Sequence, residues 1–179
     1  MANVKHRSRD HRISPVTETL IIGTFNPDSE NNPADFFYGR PKNHLWKLLS
    51  EAFGEPDLKS ASKEAKISFI NRHKIDFIDI ISEISIPEDT LSDYRDIFID
   101  DKVIRWNDVI AEINCLKNLK KVCFTRKTFS DIPYIKEKIE EVRLLCQNIG
   151  IFFKYLITPA RIYSNEKQIE WAEFVKKEI

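Results

Sequence analysis

The chain has 179 residues, close to one domain of about 150 residues, so two independent cores are not expected. Twenty-eight Lys and Arg balance twenty-eight Asp and Glu, and the 42% hydrophobic share is that of a globular protein, which excludes disorder, collagen and coiled coil as whole-chain readings. Only four glycines are present, too few for a sandwich of many short strands and special turns, so an α/β or mostly helical domain is expected.

The zero net charge argues against a non-specific nucleic-acid coat, whose affinity comes from many phosphate neutralisations, but not against an enzyme that grips DNA locally. No window approaches the ~18 consecutive apolar residues of a membrane span, and the basic N-terminus lacks the apolar stretch of a signal peptide, so a cytoplasmic protein is expected. Cys115, Cys123 and Cys146 are odd in number, widely spaced and without a C-x-x-C pair. They read as reduced, mostly buried thiols and not as a disulfide framework or a metal site.

The basic run of residues 5–12 reads either as a solvated, frayed terminus or as an arm that touches phosphates. The domain boundary is placed accordingly, with a basic arm over residues 1–14 and a single domain over 15–179. Residues 19–25 (TLIIGTF), closed by Asn26-Pro27-Asp28, predict a buried strand ending in a turn. Residues 28–42 carry Pro33, Gly39, Pro41 and many Asn and Asp residues, which predicts an irregular loop. Its aromatics, Phe36, Phe37 and Tyr38, either fold back onto the core or line a site for something flat.

Leu45, Trp46, Leu48, Leu49, Ala52 and Phe53 have helical spacing and stop at Gly54. A second helix is expected over 61–73 and a strand over 75–81 (IDFIDII). The polar stretch 82–101 is expected to cross the surface with a short helix, and residues 104–116 to form a helix. Residues 121–125 (KVCFT) predict a third strand. A helix then opens near Pro133 and stops before Gly150. Residues 152–157 (FFKYLI) form a fourth strand, and Ser164 caps a last helix that turns Trp171, Phe174, Val175 and Ile179 inward.

Strands separated by helices imply crossover connections, hence an α/β fold: a three-layer α/β/α sandwich around a central four-stranded parallel sheet. Ligands of such sheets bind beyond the carboxyl ends of the strands, which directs attention to residues 26–28, 82–83, 125–127 and 158–161. Phosphate-loop, dinucleotide, zinc-helix, calcium-loop and nucleophile-elbow patterns are all absent, so no metal and no cofactor is expected.

Amide and small polar residues at strand ends, with aromatics on the first loop, remain as candidate chemistry. Residues 20–46, LIIGTFNPDSENNPADFFYGRPKNHLW, resemble the first motif region of the uracil-DNA glycosylase superfamily. They are most similar to its mismatch-specific uracil and hypoxanthine-DNA glycosylase branches, with a strand, a G-x-x-P or G-x-N-P turn, a loop, and an aromatic before an H-P-x-N-x-[FL]-W run. That run reads here from Tyr38 through Asn43 to Trp46. Leu156-Ile157-Thr158-Pro159-Ala160-Arg161, followed by Ser164 and the helix to Trp171, resembles the second motif. The resemblance spans nearly the whole chain, although the middle matches only in element order.

The resemblance implies a monofunctional, monomeric DNA repair glycosylase of base excision repair. Such an enzyme flips uracil or hypoxanthine out of DNA and hydrolyses its N-glycosidic bond with an Asn-positioned water. An extruded base needs an aromatic face and hydrogen bonds to its polar edge. Hydrolysis through an oxocarbenium-like sugar needs a placed water and stabilisation of the leaving base. Asn43 is the leading water-positioning residue, with Asn26 as its backup or as a base reader. Tyr38, Gly23, Thr24, Phe25 and Thr158 are expected against the substrate. Arg40, Lys42, Pro159, Ala160, Arg161, Ile162 and Tyr163 are expected against DNA, Ile162 and Tyr163 as a wedge into the gap left by the base.

Three departures from the family pattern stand out: Asn26 follows Gly23 by three residues instead of two, Arg40 replaces the usual His, and Thr158 directly precedes Pro159 where the second motif reads T/S-x-P-A. Each assignment also has a structural alternative. Asn43 can cap the helix that follows it, Asn26 can make an Asx turn, and Ile162 with Tyr163 can staple the last helix. Two further functions fit the same residues: a catalytically inactive DNA-binding or damage-sensing module, and a hydrolase of free nucleosides or nucleotides.

Overall fold

The computed structural model describes residues 1–90 and 93–179. The first half of the chain forms β1 (Ala2–Lys5), β2 (Thr19–Gly23), α1 (Leu45–Ala52), α2 (Lys63–His73), β3 (Ile75–Asp79) and β4 (Ile81–Ile86). Then come α3 (Asp96–Ile99), β5 (Val103–Trp106), α4 (Val109–Cys115), β6 (Lys121–Phe124), α5 (Pro133–Asn148), β7 (Phe152–Tyr155) and α6 (Asn165–Lys176). The main sheet is four-stranded and parallel in the order β3-β2-β6-β7, with Gly23 opposite Asp79 and Thr19 opposite Lys121.

β2 is buried at every position, and its side chains divide between two cores. Leu20 and Ile22 join Val122, Phe124 and the inward faces of α4 and α5. Ile21 joins Cys123, Phe77, α1, α2 and α6 on the other side. Helices thus cover both faces of the sheet, giving the three-layer α/β/α sandwich that the element order predicts. α6 is held by Trp171, Phe174 and Val175, each nearly fully buried and contributing about 1.5–3 kcal/mol relative to exposure. Ile179, expected inward, lies outward beyond its end. At the start of α6 the Ser164 hydroxyl accepts the Lys167 N–H at 3.3 Å. Replacing Ser164 with Ala is expected to lower stability by about 1 kcal/mol, read as a shift in the denaturation midpoint.

Three expectations are corrected. A second, antiparallel sheet of order β1-β4-β5 packs on the α4 and α5 side, where Val4, Ile81, Ile84 and Ile86 enter the core. Its central strand β4 (ISEISI) occupies part of the stretch expected to be a surface crossing, since the isoleucines at 81, 84 and 86 supply a buried face. The short helix of that stretch is α3, and residues 91 and 92 lie outside the described residues. The helix expected over 104–116 splits into β5 and α4 around Asp108, whose side chain caps α4 by accepting the Ala111 N–H.

Residues 1–14, expected as a basic arm, are part of the fold. β1 pairs with β4, and the guanidinium of Arg7 donates to the carbonyls of Ser29, Asn32 and Ala34. Arg9 pairs with Asp28, so much of the positive charge is spent within the molecule. Cys123 and Cys146 are buried and Cys115 is exposed, all three free. Among the described residues no helix is long and apolar enough to cross a membrane, and no group of three or more His, Cys, Asp or Glu residues could hold a metal ion.

Candidate active site

After β2 the chain crosses to β3 on one side, and it later returns to β6 on the other. The carboxyl ends of β2 and β6 are therefore the topological switch point, the place where open α/β sheets bind their ligands. Gly23 ends β2, Asp79 ends β3 directly opposite, and buried Thr125 follows β6. Gly23 and Asp79 share the face that carries Ile21 and Phe77, the face covered by α1 and α6.

The loop between β2 and α1 delivers aromatics to this corner. Phe36 and Phe37 are core residues, and the Trp46 indole donates to the Phe37 carbonyl at 2.8 Å. With its neighbours so fixed, Tyr38 adopts a left-handed backbone (φ 55°) and its ring packs beside Phe77 at 5.6 Å. A Cβ on Gly23 would fall 2.2 Å from Asp79 Oδ1 and 2.5 Å from the Tyr38 hydroxyl, so only glycine fits there. Burial and the charge of Asp79 push the Tyr38 phenol well above its ordinary range, which keeps it a hydrogen-bond donor. The Thr125 hydroxyl beside it opposes the shift without completing a hydrogen bond of good geometry.

His6, just after β1, reaches this edge and contacts Asp79 Oδ2 through Nε2 at 2.7 Å, with both residues almost fully buried. Asp96 lies within reach of Thr24; burial raises its carboxyl pKa, and the ion pair with Arg126 at 2.9 Å partly offsets that rise. The exposed Arg40 is within electrostatic range of Asp79 and Asp96. Among the described residues, Tyr38 Oη, Tyr94 Oη, Asn26 Nδ2 and, ahead of β2, Thr17 Oγ1 are buried without a partner. Phe25 bridges two members of this cluster, with its ring centroid 5.8 Å from His6 and 6.3 Å from Tyr94. A cavity of about 240 Å³ lined by Trp106, Asn107, Lys138 and Glu141 shares no residue with it.

The two motif segments, more than a hundred residues apart, meet. Asn43 and Ala160 form an antiparallel bridge, flanked by His44 N–H to Pro159 O at 2.9 Å and Arg161 N–H to Lys42 O at 2.8 Å. Lys167 supports the second segment from α6, its buried ammonium donating to the Ala160 carbonyl at 2.7 Å. Arg161 is held in the left-handed region (φ 71°), and the next residue, Ile162, is 79% exposed. Tyr163 turns back onto α1, with its hydroxyl 2.6 Å from Glu51 and Lys47 over its ring. Thr158 Oγ1 accepts the Ala160 N–H at 3.3 Å.

Asn43 accepts the Leu45 N–H at 2.9 Å in an Asx turn just ahead of His44, the N-cap of α1. Asn26 is buried and accepts from Asn32 Nδ2 at 2.7 Å, which leaves its own amide nitrogen unpartnered. The structure thus gathers Gly23, Thr24, Phe25, Asn26 and Tyr38 at the strand edge. It gathers Lys42, Asn43, Pro159, Ala160, Arg161 and Ile162 in the paired segments. Lys127, a candidate beyond β6, is tied to Glu170 at 2.6 Å.

Asp79, His6, Tyr94 and Asp96 escape the sequence reading. The strand expected over 75–81 ends at Asp79, and with that end placed correctly the carboxylate becomes a residue at a strand terminus. Nothing in the sequence signals that His6 meets it from 73 positions away.

No family model matches the chain. A hypoxanthine DNA glycosylase from Methanosarcina acetivorans is 26% identical over 156 residues, covering 87% of this chain and 88% of that protein. A hypoxanthine DNA glycosylase from Methanosarcina barkeri is 25% identical over 162 residues, covering 90% and 92%. The solution structure of a candidate uracil DNA glycosylase from M. acetivorans shares the fold, with a TM-score of 0.62, 23% identity and coverage of 92% of each chain. The resemblance to the uracil-DNA glycosylase superfamily, its hypoxanthine branch included, therefore extends through the middle of the chain as well as its two motifs.

Proposed function

We propose that the protein is a monofunctional DNA glycosylase that removes hypoxanthine or uracil from DNA by hydrolysis of the N-glycosidic bond. The observation that carries this reading is the pairing with Ala160 of Asn43, which lies on the same β2–α1 loop that brings Tyr38 to the strand-edge cluster of Gly23 and Asp79. It joins a rim suited to a sugar-phosphate backbone with a polar floor suited to a base.

At the rim, Lys42, Arg161 and Arg40 are exposed cations for phosphates, and the backbone groups of residues 158–161 follow the strand. Ile162 is the wedge, since its side chain stands in solvent while Tyr163 anchors the turn to α1. Asn43 positions the water. The Leu45 N–H fixes the direction of its amide oxygen, whose second lone pair remains to orient a water at the anomeric carbon. Asn26 lies deeper, with a free amide donor for a base carbonyl, and Tyr38, Thr24, Phe25 and Thr158 complete the walls. The reading requires one copy of the chain and neither metal nor cofactor.

Replacing Ile162 with Ala is expected to leave stability within about 0.5 kcal/mol, because the residue touches little. Release from duplex should slow by about tenfold while release from single strands is unchanged, because only the duplex leaves a gap to fill. Equal losses on both substrates contradict the wedge. The function itself is tested by comparing base release from damaged oligonucleotides with release from free deoxyinosine and deoxyuridine. Release from oligonucleotides alone, weakening with salt, is expected. Release from nucleosides alone identifies a nucleoside hydrolase, and DNA binding without release identifies a sensing module.

A further inference from the structure

We infer that Asp79 reads the ring N–H that distinguishes a deaminated base from its parent, and that His6 sets which way the Asp79 carboxylate can read. The inference rests on the glycosylase reading above and names the base edge that its pocket selects.

Ser8 N–H donates to His6 Nδ1 at 3.0 Å. A backbone N–H can only donate, so Nδ1 is the accepting nitrogen and the imidazole proton sits on Nε2. Nε2–H in turn donates to Asp79 Oδ2 at 2.7 Å. One carboxylate oxygen is thereby occupied and the plane of the group is fixed. The other, Oδ1, leans into the room left by the missing side chain of Gly23 and has no donor among the described residues. Asp79 is 6% exposed as a residue and Oδ1 is not among its sealed, unpartnered atoms, so this oxygen is an acceptor reachable from the corner and only weakly solvated.

An extruded base enters with its glycosidic bond at the rim and its Watson–Crick edge toward the floor. Hypoxanthine carries N1–H and uracil N3–H on that edge, whereas adenine and cytosine present a bare ring nitrogen at the same place. A carboxylate accepts the first pair and repels the lone pair of the second. Guanine keeps its ring N–H, so Asp79 does not separate it from hypoxanthine. The effect expected is large, because a buried site built to bond an N–H strongly rejects an analogue that lacks it.

The test is Asp79→Asn. His6 Nε2–H still demands an acceptor, so the new amide must give its oxygen to His6 and turn its NH2 toward the base. A donor then faces the ring N–H. Single-turnover release of hypoxanthine and uracil should fall by at least about a hundredfold. Free hypoxanthine should stop inhibiting DNA binding, and free adenine should begin to. A purely structural role cannot produce that exchange of inhibitors. Release by Asp79→Asn within about threefold of wild type overturns the inference.

A second measurement uses the wild type and is independent of how the variant folds. DNA carrying N1-methylhypoxanthine lacks the proton that Asp79 accepts, and its base should be released at least about a hundredfold more slowly than hypoxanthine. Equal rates overturn the inference. The two readings fail differently. A wild type that releases neither base from any oligonucleotide removes the glycosylase reading itself. An active wild type that remains indifferent to Asp79→Asn and to N1-methylation removes only the role of Asp79.

Discussion

Asn43→Ser is expected to lower the single-turnover rate of base release by about a thousandfold while leaving the melting temperature at its wild-type value. Serine preserves what the amide does for the fold, since its hydroxyl can also accept the N–H two residues on, the bond that Asn43 makes with Leu45. It removes what the amide is proposed to do for the reaction, which is to hold a water at the length and angle of a carboxamide. Asn43→Ala removes both and should additionally cost about 1 kcal/mol of stability. The comparison separates the two roles because the bridge to Ala160 and the turn from Arg40 use only backbone atoms and survive either change. Wild-type release by Asn43→Ser would leave Asn43 only the Asx turn that opens α1 and shift the water to Asn26, whose amide oxygen is already engaged by Asn32.

Gly23→Ala is the second large effect. The added methyl would stand 2.2 Å from Asp79 Oδ1 and 2.5 Å from the Tyr38 hydroxyl, well inside contact distance. Neither neighbour yields easily: Asp79 is clamped by His6, and Tyr38 follows two phenylalanines locked in the core. Overpacking of this kind costs about 1–3 kcal/mol, and the displaced carboxylate and ring would no longer meet a base. Release should fall at least about a hundredfold in a protein that still folds, because small misplacements of positioning groups cost that much. Denaturation and single-turnover release on the same preparation provide the check. An alanine variant that is destabilised yet releases base at the wild-type rate would move the base away from this corner.

The parallel sheet is legible because its two central strands carry short apolar runs closed by turn residues, TLIIG before Asn26-Pro27 and KVCF before Thr125, and its outer strands IDFID and FFKY keep enough apolar residues to follow the same pattern. β2 and β6 are buried at every position, so their apolar character runs along both faces. The second sheet is obscured for the opposite reason. β4 mixes three isoleucines with two serines and a glutamate, and Trp106 in β5 falls at helical spacing from Val109 and Ile113 in α4. β1 has a single buried side chain, Val4, and its pairing with β4 is non-local.

The site divides in the same way. Motif residues such as Asn43 and Ala160 are visible as local patterns, and the fold brings them together. Tyr38 is visible as an aromatic on a loop, while its left-handed backbone and its approach to Gly23 are products of packing. Asp79 and His6 each look ordinary in sequence, one within a strand and the other in a basic run. Their chemistry exists only once β1 has added to β4 and carried His6 over the strand edge.

The central claim is that the corner formed by Gly23, Tyr38, Asp79 and the paired motif segments holds a flipped base whose N-glycosidic bond is hydrolysed. Its most direct test is alkali-revealed cleavage of an end-labelled duplex carrying one hypoxanthine or one uracil after incubation with the folded, DNA-bound protein. The account predicts a single cut at the damaged position, free base in solution and no cut in the undamaged duplex. An intact labelled strand under those conditions would contradict it.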